Sequence, residues 1–455
     1  MKIGFEIHEQ LATKQKLYCD CPTNYRDVPA NTNVCPVCTG MPGAKPAPPN
    51  EKAINSAIEI ALMLDCDIIT NEKIYIQRKH YDYPDLPSGY QRTSLPIGRN
   101  GELEGVGIRE VHIEEDPGKY DPTGGTVDYN RSGMPLVEIV TDPDLNSPEE
   151  ARKFFRSLIR VLDYTGKVRP EPSTLRADTN ISLEGGARVE IKNINSVKGA
   201  YRAIKYEVMR QRKLKERGGE VERETRAYLE SQMITSAMRS KEVAEDYRYI
   251  PDPDIFPIVI EDSLVKEIQE NMHEAPHLRE RRIIEEYGIE SSVAKVLTSE
   301  KGLVDLFEEV MKEVDDAEFT SHWFKDTLKK VLNYSNLGAK EASFNPSQMV
   351  KLIEMIQSDE VTPEQGELIL REMVKKPADP EELVEELGLE KLVDEELEEA
   401  VNKAVSENPQ AVKDYESGKE EAINYLSGKV MEITEGRADP REVLEVLKNK
   451  LVNND

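Results

Sequence analysis

Four cysteines near the N-terminus constrain this chain more than any other feature. Cys19 and Cys21 lie in Leu17-Tyr-Cys-Asp-Cys, and Cys35 and Cys38 in Val34-Cys-Pro-Val-Cys-Thr-Gly. The pattern is C-x-C, thirteen residues, then C-x-x-C. Two close thiolate pairs joined by a short loop can close a tetrahedron around zinc. The residues between them include Pro22, Asn24, Pro29, Asn31 and Asn33, which form turns rather than core. The same thiols could instead form two disulfides. With four of five cysteines clustered and no signal-peptide pattern, the expected setting is a reducing cytoplasm. Cys66, in Met-Leu-Asp-Cys-Asp-Ile, reads as a small buried hydrophobe.

A second cluster opens the chain. In Lys2-Ile-Gly-Phe-Glu-Ile-His-Glu the apolar Ile3, Phe5 and Ile7 alternate with Glu6 and His8, the period of a strand. Glu6 and His8 then leave one face about 7 Å apart, and a carboxylate beside an imidazole can hold a divalent metal.

At 455 residues the chain has room for two or three domains with sizeable cores. Its net charge of −27 repels nucleic acid on average, so an RNA partner needs local basic patches. No apolar run of about 18 residues occurs, so no membrane span is expected.

The pattern divides near residue 290. Before it, strand-like alternations (Lys73-Ile-Tyr-Ile-Gln, Val106 to Ile113, Pro135 to Val140, Arg188 to Lys192) mix with amphipathic helices. One helix is signed by Ser147-Pro-Glu-Glu and an apolar stripe of Phe154, Phe155, Leu158, Ile159 and Leu162. A basic helix follows around 201–217. Beyond 290 a cap, a proline and a reciprocal capper recur at Asn345, Thr362, Asp379 and Asp439. The expected fold class is α+β: a mixed α/β region over 1–291, a helical region over 292–400 and a small helical tail over 401–455.

Nucleotide and hydrolase signatures such as G-x-x-x-x-G-K-[ST] and G-x-S-x-G are absent from the sequence. Polar residues at strand ends beside Gly or Pro turns offer the alternative. They are Glu114-Glu115-Asp116, Arg131, Asp178 with Asn180, and Glu190 with Lys192, opposite Asn193 and Asn195. Together Glu6, His8, Glu115, Asp178 and Glu190 make a hard-oxygen set suited to Mg2+ and ATP, with Lys192 or Arg131 as phosphate clamp. The block Arg78-Lys-His-Tyr-Asp-Tyr-Pro-Asp-Leu-Pro-Ser-Gly-Tyr-Gln interleaves basic and aromatic residues, as a base- or phosphate-contacting surface does. A rigid loop packed by tyrosines reads the same way.

These residues resemble a known family. Gly4-Phe-Glu-Ile-His, Asn33-Val-Cys-Pro-Val-Cys-Thr-Gly-Met-Pro-Gly, Tyr83-Pro-Asp-Leu-Pro, His112-Ile-Glu-Glu-Asp-Pro-Gly-Lys, Arg176-Ala-Asp-Thr-Asn-Ile-Ser and Glu190-Ile-Lys-Asn-Ile-Asn-Ser are similar to the B subunit of the tRNA-dependent amidotransferases. So are Met238-Arg-Ser-Lys-Glu, Asp246-Tyr-Arg-Tyr-Ile-Pro-Asp-Pro-Asp, Asp414-Tyr-Glu-Ser-Gly-Lys and Gly436-Arg-Ala-Asp-Pro, so the resemblance covers essentially the whole chain. It implies a catalytic cradle, a helical domain and a tRNA-binding tail. It implies a ligase that amidates Asp-tRNA(Asn) or Glu-tRNA(Gln) with ATP, Mg2+ and zinc, within a heterotrimer. An amidase A subunit supplies ammonia from glutamine, and the pair is braced by a small C subunit. Carried over, Glu6, His8, Glu115, Asp178 and Glu190 are the metal–nucleotide ligands, and Glu115 sits where the ammonia channel opens. In the tail Lys413, Lys419, Lys429 and Arg437 are expected against tRNA phosphates.

Three features depart from many relatives: a short loop between Asp178 and Glu190, Ala227-Tyr228 after Glu224-Thr-Arg where Arg-Trp is common, and Ser88 where lysine is common. They bear on tRNA-end contacts near Arg226 and Ser88 and leave the metal set intact. The related archaeal E subunit carries an insertion for which this chain lacks room. A non-catalytic zinc-and-helix tRNA adaptor is the rival reading; it needs the thiol cluster and the tail but no carboxylate site.

Overall fold

The computed structural model describes all residues except 172–173, 185, 239–246, 390–393, 418, 420, 435–437, 439 and 453–455. It forms two compact units, Met1–Ala275 and Pro276–Asp455.

The first unit starts with β1 (Lys2–Gln10), α1 (Glu51–Met63), β2 (Asp67–Ile68), β3 (Ile76–His80), β4 (Tyr90–Ser94) and β5 (Gly98–Leu103). It continues with β6 (Val106–Glu115), β7 (Lys119–Asp121), β8 (Thr126–Asp128), β9 (Pro135–Thr141) and α2 (Pro148–Thr165). It closes with β10 (Arg176–Ser182), β11 (Val189–Ile194), α3 (Val197–Glu216), β12 (Glu224–Leu229), β13 (Ile234–Ala237), β14 (Ile250–Pro251) and α4 (Asp262–Asn271). The main sheet runs β13-β12-β11-β10-β1-β9-β6-β4-β3-β14, with β5 and β2 branching from β6. Its described pairings are antiparallel except β11 with β12, which run parallel. A parallel pair needs a crossover, and α3 is that crossover.

The alternation read in β1 decides the sheet's two faces. Ile3, Phe5 and Ile7 are fully buried. Phe5 stacks on Phe154 and Phe155 of α2, with ring centroids 6.1 and 5.4 Å away. Helix α2 begins as expected, with the Ser147 hydroxyl accepting from the Glu150 N–H at 3.1 Å. Buried Val111 and Ile113 of β6, Val137 and Ile139 of β9, and Ala177 and Ile181 of β10 continue the apolar face. The opposite face carries Glu6 and His8 and is only half-buried. Phe155→Ala is expected to destabilise this unit by about 3–5 kcal/mol, because it opens a cavity under Phe5. Urea denaturation of the full chain checks this through a lower midpoint at unchanged slope.

The second unit is helical throughout its described residues: α5 (Pro276–Tyr287), α6 (Ser291–Leu297), α7 (Lys301–Val310), α8 (Ala317–Trp323) and α9 (Lys329–Ser335), with a π-turn, Phe324–Leu328, joining the last two. Then come α10 (Pro346–Gln357), α11 (Pro363–Met373), α12 (Pro380–Leu387), α13 (Asp394–Glu407), α14 (Pro409–Glu416), α15 (Glu421–Ile433) and α16 (Pro440–Val452). The proline-marked entries at Asn345 and Thr362 are complete capping boxes. Asp379 caps α12 by accepting from the Glu381 N–H. The entry at Asp439 lies outside the described residues. Leu397, Val401, Ala404, Leu426, Val430 and Leu447 belong to a core of their own, so this small core reaches back into α13 before residue 401. No helix among the described residues is long and apolar enough to cross a membrane.

Candidate active site and thiol cluster

The polar face of the large sheet gathers side chains from strands far apart in sequence. Glu6 lies directly across from Asp178, and His8 lies between Arg176 of β10 and Glu138 of β9. Asn180 Nδ2 donates to Glu6 Oε1 at 3.1 Å. Lys192 Nζ lies 3.0 Å from Asp178 Oδ2 and 3.2 Å from Glu190 Oε1. The Thr225 hydroxyl donates to Glu190 Oε2 at 2.9 Å. Glu6, His8, Asp178, Glu190 and Lys192, singled out in the sequence, thus share one face.

Lys192 reaches Asp178 because Asn180 pairs with Glu190 and Thr179 with Ile191, so the next step of the register sets the two side by side; β11 bulges just beyond. Between the pairs Ala177–Ile194 and Thr179–Ile191, β11 has one residue more than β10. Asn193 takes φ +69°, a conformation Asn tolerates better than most residues. Strict alternation would turn Asn193 inward behind Ile191. The bulge leaves it exposed instead, with Ile194 buried.

Of the two acidic partners of His8, the sequence offered Glu114 beside Glu115 but assigned Glu115 to the site, and it did not single out Glu138. His8 Nε2 is 3.4 Å from Glu114 Oε2 and 3.6 Å from Glu138 Oε1. One ligand atom from each of the three lies within 4.8 Å of the other two. Two carboxylates and an imidazole at that spacing suit a hard divalent cation. Burial opposes charge on His8, but the hydrogen bond to Glu114 and the charge of Glu138 push its pKa up to about 9. Burial also opposes the charge on Glu114, yet Lys79 and His8 pull it down to about 2. Glu138 is pushed up, first by burial and then by Glu114. The group therefore holds a proton on His8 that a cation would displace.

Of the expected site residues, Glu115 faces elsewhere and Arg131 is held at a turn, 3.6 Å from Asp116. Glu115 follows Glu114 in β6, so its carboxylate leaves the other side of the strand. There it accepts from the Arg92 N–H at 3.0 Å, and the Arg92 guanidinium lies 3.3 Å away. Arg92 also donates to Asp252 at 2.9 Å, and its guanidinium lies over the rings of Tyr18 and Tyr90. Arg131 spends donors on the carbonyls of Pro117 and Gly118 at 3.0 and 2.7 Å, which pins the turn after β6. Arg226 is buried, with its guanidinium committed to Thr235, Glu224 and Glu207.

The four clustered cysteines converge, each offering a sulfur within 4.8 Å of the other three. All of them are free thiols. Cys35 and Cys38 Sγ are 3.9 Å apart, close to the ~3.8 Å edge of a tetrahedron with 2.3 Å zinc–sulfur bonds. Lys16, 1% exposed, points its ammonium at the site, 3.4 Å from Cys38 Sγ, 2.9 Å from the Asn33 carbonyl and 3.2 Å from the Tyr129 carbonyl. A buried cation there matches a centre with surplus thiolate charge. The Cys38 thiol is held well down, first by the hydrogen bond from Cys19 and further by Lys16, and the same pairing pushes Cys19 up. Cys66 is buried, as expected.

In the tail, Lys419 pairs with Asp414 at 3.1 Å and Lys429 with Glu432 at 2.6 Å. Lys413 is exposed on α14, and Arg437 lies outside the described residues.

A half-buried acidic sheet face beside a thiol cluster, followed by capped helices, is a combination that comparison with known proteins places. Residues 1–266 match the family described as the GatB/GatE catalytic domain, and residues 305–451 match the GatB domain. The chain is 56% identical over 452 residues to the B subunit of the aspartyl/glutamyl-tRNA(Asn/Gln) amidotransferase of Methanothermobacter thermautotrophicus, covering 99% of this chain and 100% of that one. It is 55% identical over 452 residues to the corresponding protein of Methanosphaera stadtmanae, covering 99% of each. With that of Methanocaldococcus jannaschii it shares 54% over 464 residues, covering 99% of this chain and 98% of the relative. The chain belongs to the family of aspartyl/glutamyl-tRNA(Asn/Gln) amidotransferase B subunits.

Proposed function

We propose that this chain activates and amidates the side-chain carboxylate of Asp or Glu carried on tRNA(Asn) or tRNA(Gln), as an ATP-dependent ligase subunit. The observation that carries the reading is the convergence of His8, Glu114 and Glu138 on the face that also holds Glu6, Asp178, Glu190 and Lys192. A carboxylate is a poor acyl electrophile. Attack of its oxygen on the γ-phosphorus of ATP releases ADP and gives an acyl phosphate; ammonia then attacks the carbonyl carbon and loses a proton, and phosphate leaves with the bonding pair. When bound, Mg2+ offsets the charge of the ATP phosphates. His8, Glu114 and Glu138 would hold it, and Glu6, Asp178 and Glu190 would offer further oxygens. Lys192, poised between Asp178 and Glu190, swings to the phosphates as their positive partner. Glu115 and Arg92 lie behind this face and line the side from which ammonia arrives. Arg131 keeps the turn after β6 in place through the carbonyls of Pro117 and Gly118. The ammonia comes from an amidase A subunit, braced by a small C subunit, in a cytoplasmic heterotrimer, and the four cysteines hold one structural zinc.

The test is amidation by the purified complex, with each charged tRNA supplied separately. ATP-dependent formation of the amidated aminoacyl-tRNA with stoichiometric phosphate release supports the reading. Binding of charged tRNA without any ATP-dependent chemistry would make the chain an adaptor and end it.

For the tail we propose phosphate contacts by Lys413, Lys419, Lys429 and Arg437. Lys419 and Lys429 must exchange Asp414 and Glu432 for phosphate, which weakens each contact. Because the small core begins within α13, the deletion that tests this starts at Asp394 rather than at 401. It is expected to weaken tRNA binding by about tenfold or more and to lower the slope of affinity against salt by roughly 0.7–0.9 for each phosphate that is no longer neutralised. ATP hydrolysis should persist. Unchanged tRNA affinity would refute the assignment.

A further inference from the structure

Four tyrosines line up beside the acidic cluster, and none takes part in the chemistry above. Tyr81 and Tyr83 follow β3; Tyr247 and Tyr249 precede β14. The pairing of Ile250 with Arg78 and Pro251 with Gln77 draws the two segments together. The His80 ring nitrogen Nδ1 lies 3.1 Å from the Arg248 carbonyl. Ring centroids are then 6.2 Å apart from Tyr83 to Tyr81, 5.9 Å from Tyr81 to Tyr247 and 6.2 Å from Tyr247 to Tyr249.

The ladder is not ordinary core. Its end rungs stay wet, with Tyr83 44% and Tyr249 45% exposed. Neighbouring rings meet edge to face at 65–71°, so each rung keeps ring surface that the next does not cover. Its middle is tied to the cluster: the Tyr81 hydroxyl donates to Gln91 Oε1 at 2.8 Å, and Gln91 Nε2 donates to Glu114 Oε2 at 3.0 Å. Lys79 Nζ lies over the Tyr247 ring at 5.1 Å.

We infer that this ladder is a stacking platform for the unpaired bases at the 3′ end of the substrate RNA. The inference rests on the amidation reading, which sets the aminoacyl group at the cluster and so the adjoining bases beside it. One adenine covers about one ring, whereas a ladder of four suits successive bases of a strand. Lys79 supplies the positive charge that a sugar–phosphate chain needs next to an acidic face. Stacking on aromatic rings accepts any base, which suits an end read by position rather than by sequence.

The test uses the full chain and an uncharged tRNA with 2-aminopurine at its 3′-terminal position, without ATP. Wild-type protein should quench the fluorophore on binding. Tyr83→Ala and Tyr249→Ala should lose the quench and bind about tenfold more weakly. Tyr83→Phe and Tyr249→Phe should behave as wild type, which separates ring stacking from loss of fold. A tRNA trimmed of its unpaired 3′ nucleotides should bind wild type and alanine variants alike. The inference falls if wild type gives no quench or if the alanine variants keep both quench and affinity. Because binding is read without chemistry, a quench in a complex that does not amidate would overturn the amidation reading and leave the stacking result standing.

Discussion

Asp178→Ala and Glu190→Ala are each expected to lower ATP-dependent amidation of charged tRNA by roughly 10²–10³-fold, the loss typical when one preorganised charge-stabilising group is removed. Asp178 stands across from Glu6 and holds Lys192 at 3.0 Å; Glu190 holds the same ammonium at 3.2 Å. Either substitution frees Lys192 from one of two anchors and removes a carboxylate from the set available to Mg2+. Asp178→Asn separates the two effects. Asparagine keeps an oxygen that can accept from Lys192 but has no negative charge, so an activity near that of the alanine variant assigns the loss to charge. Glutamine hydrolysis, read as ammonia release, should survive at least in part, since this chain carries no recognisable amidase nucleophile. Wild-type amidation by both alanine variants would remove Asp178 and Glu190 from the chemistry and favour the adaptor.

Why the sequence disclosed Asp178 but not Glu114 has a physical answer. In β1 and β10 the period of two runs unbroken, so Glu6, His8, Asp178 and Asn180 could be assigned to a face by counting. In β6 it does not. Val106 and Ile108 face the core, but the register shifts between Ile108 and Glu110, and Val111 and Ile113 face the core instead. Counting on from Val106 puts Glu114 inside and Glu115 outside. The bulge exchanges them, as a one-residue slip must. Glu138 gave a signal that went unused: it is the sole charged residue in Pro-Leu-Val-Glu-Ile-Val-Thr, where a buried strand should have none. The bulge at Asn193 acted the same way on β11, turning outward a residue that alternation turned in. The helical half was legible at Asn345, Thr362 and Asp379, where a cap and a proline stand together, with a reciprocal capper at the first two. The order of strands was not, since pairing depends on contacts that no local pattern encodes. Arg131 and Arg226 looked available because a sequence does not show where guanidinium donors are already spent.

Substitution of Cys38 by serine is expected to remove close to one zinc per chain and to disturb the active-site face from a distance. The reason lies in what the thiol cluster supports. Lys16 is buried with its ammonium against Cys38, and without the thiolates it keeps two carbonyls but no countercharge. Stranding a buried charge costs roughly 3–5 kcal/mol. The loop between the cysteine pairs, rich in Pro and Asn, has little apolar surface with which to compensate. The disturbance should spread along two contacts. Gly40, at the end of the C-x-x-C knuckle, takes φ +63° and packs so closely that a Cβ there would meet Pro87 and Ser88 at 2.7 Å. The knuckle therefore braces the proline loop that carries Tyr83. Tyr18, next to Cys19, lies under the Arg92 guanidinium, which in turn holds Glu115. Cys38→Ser should thus show zinc loss by metal analysis, a lower thermal midpoint, new proteolytic cleavage within 22–34, and weaker amidation than the metal content alone dictates. Wild-type protein free of metal, with all four thiols open to titration and an unchanged thermal midpoint, would show that the four sulfurs converge without holding an ion.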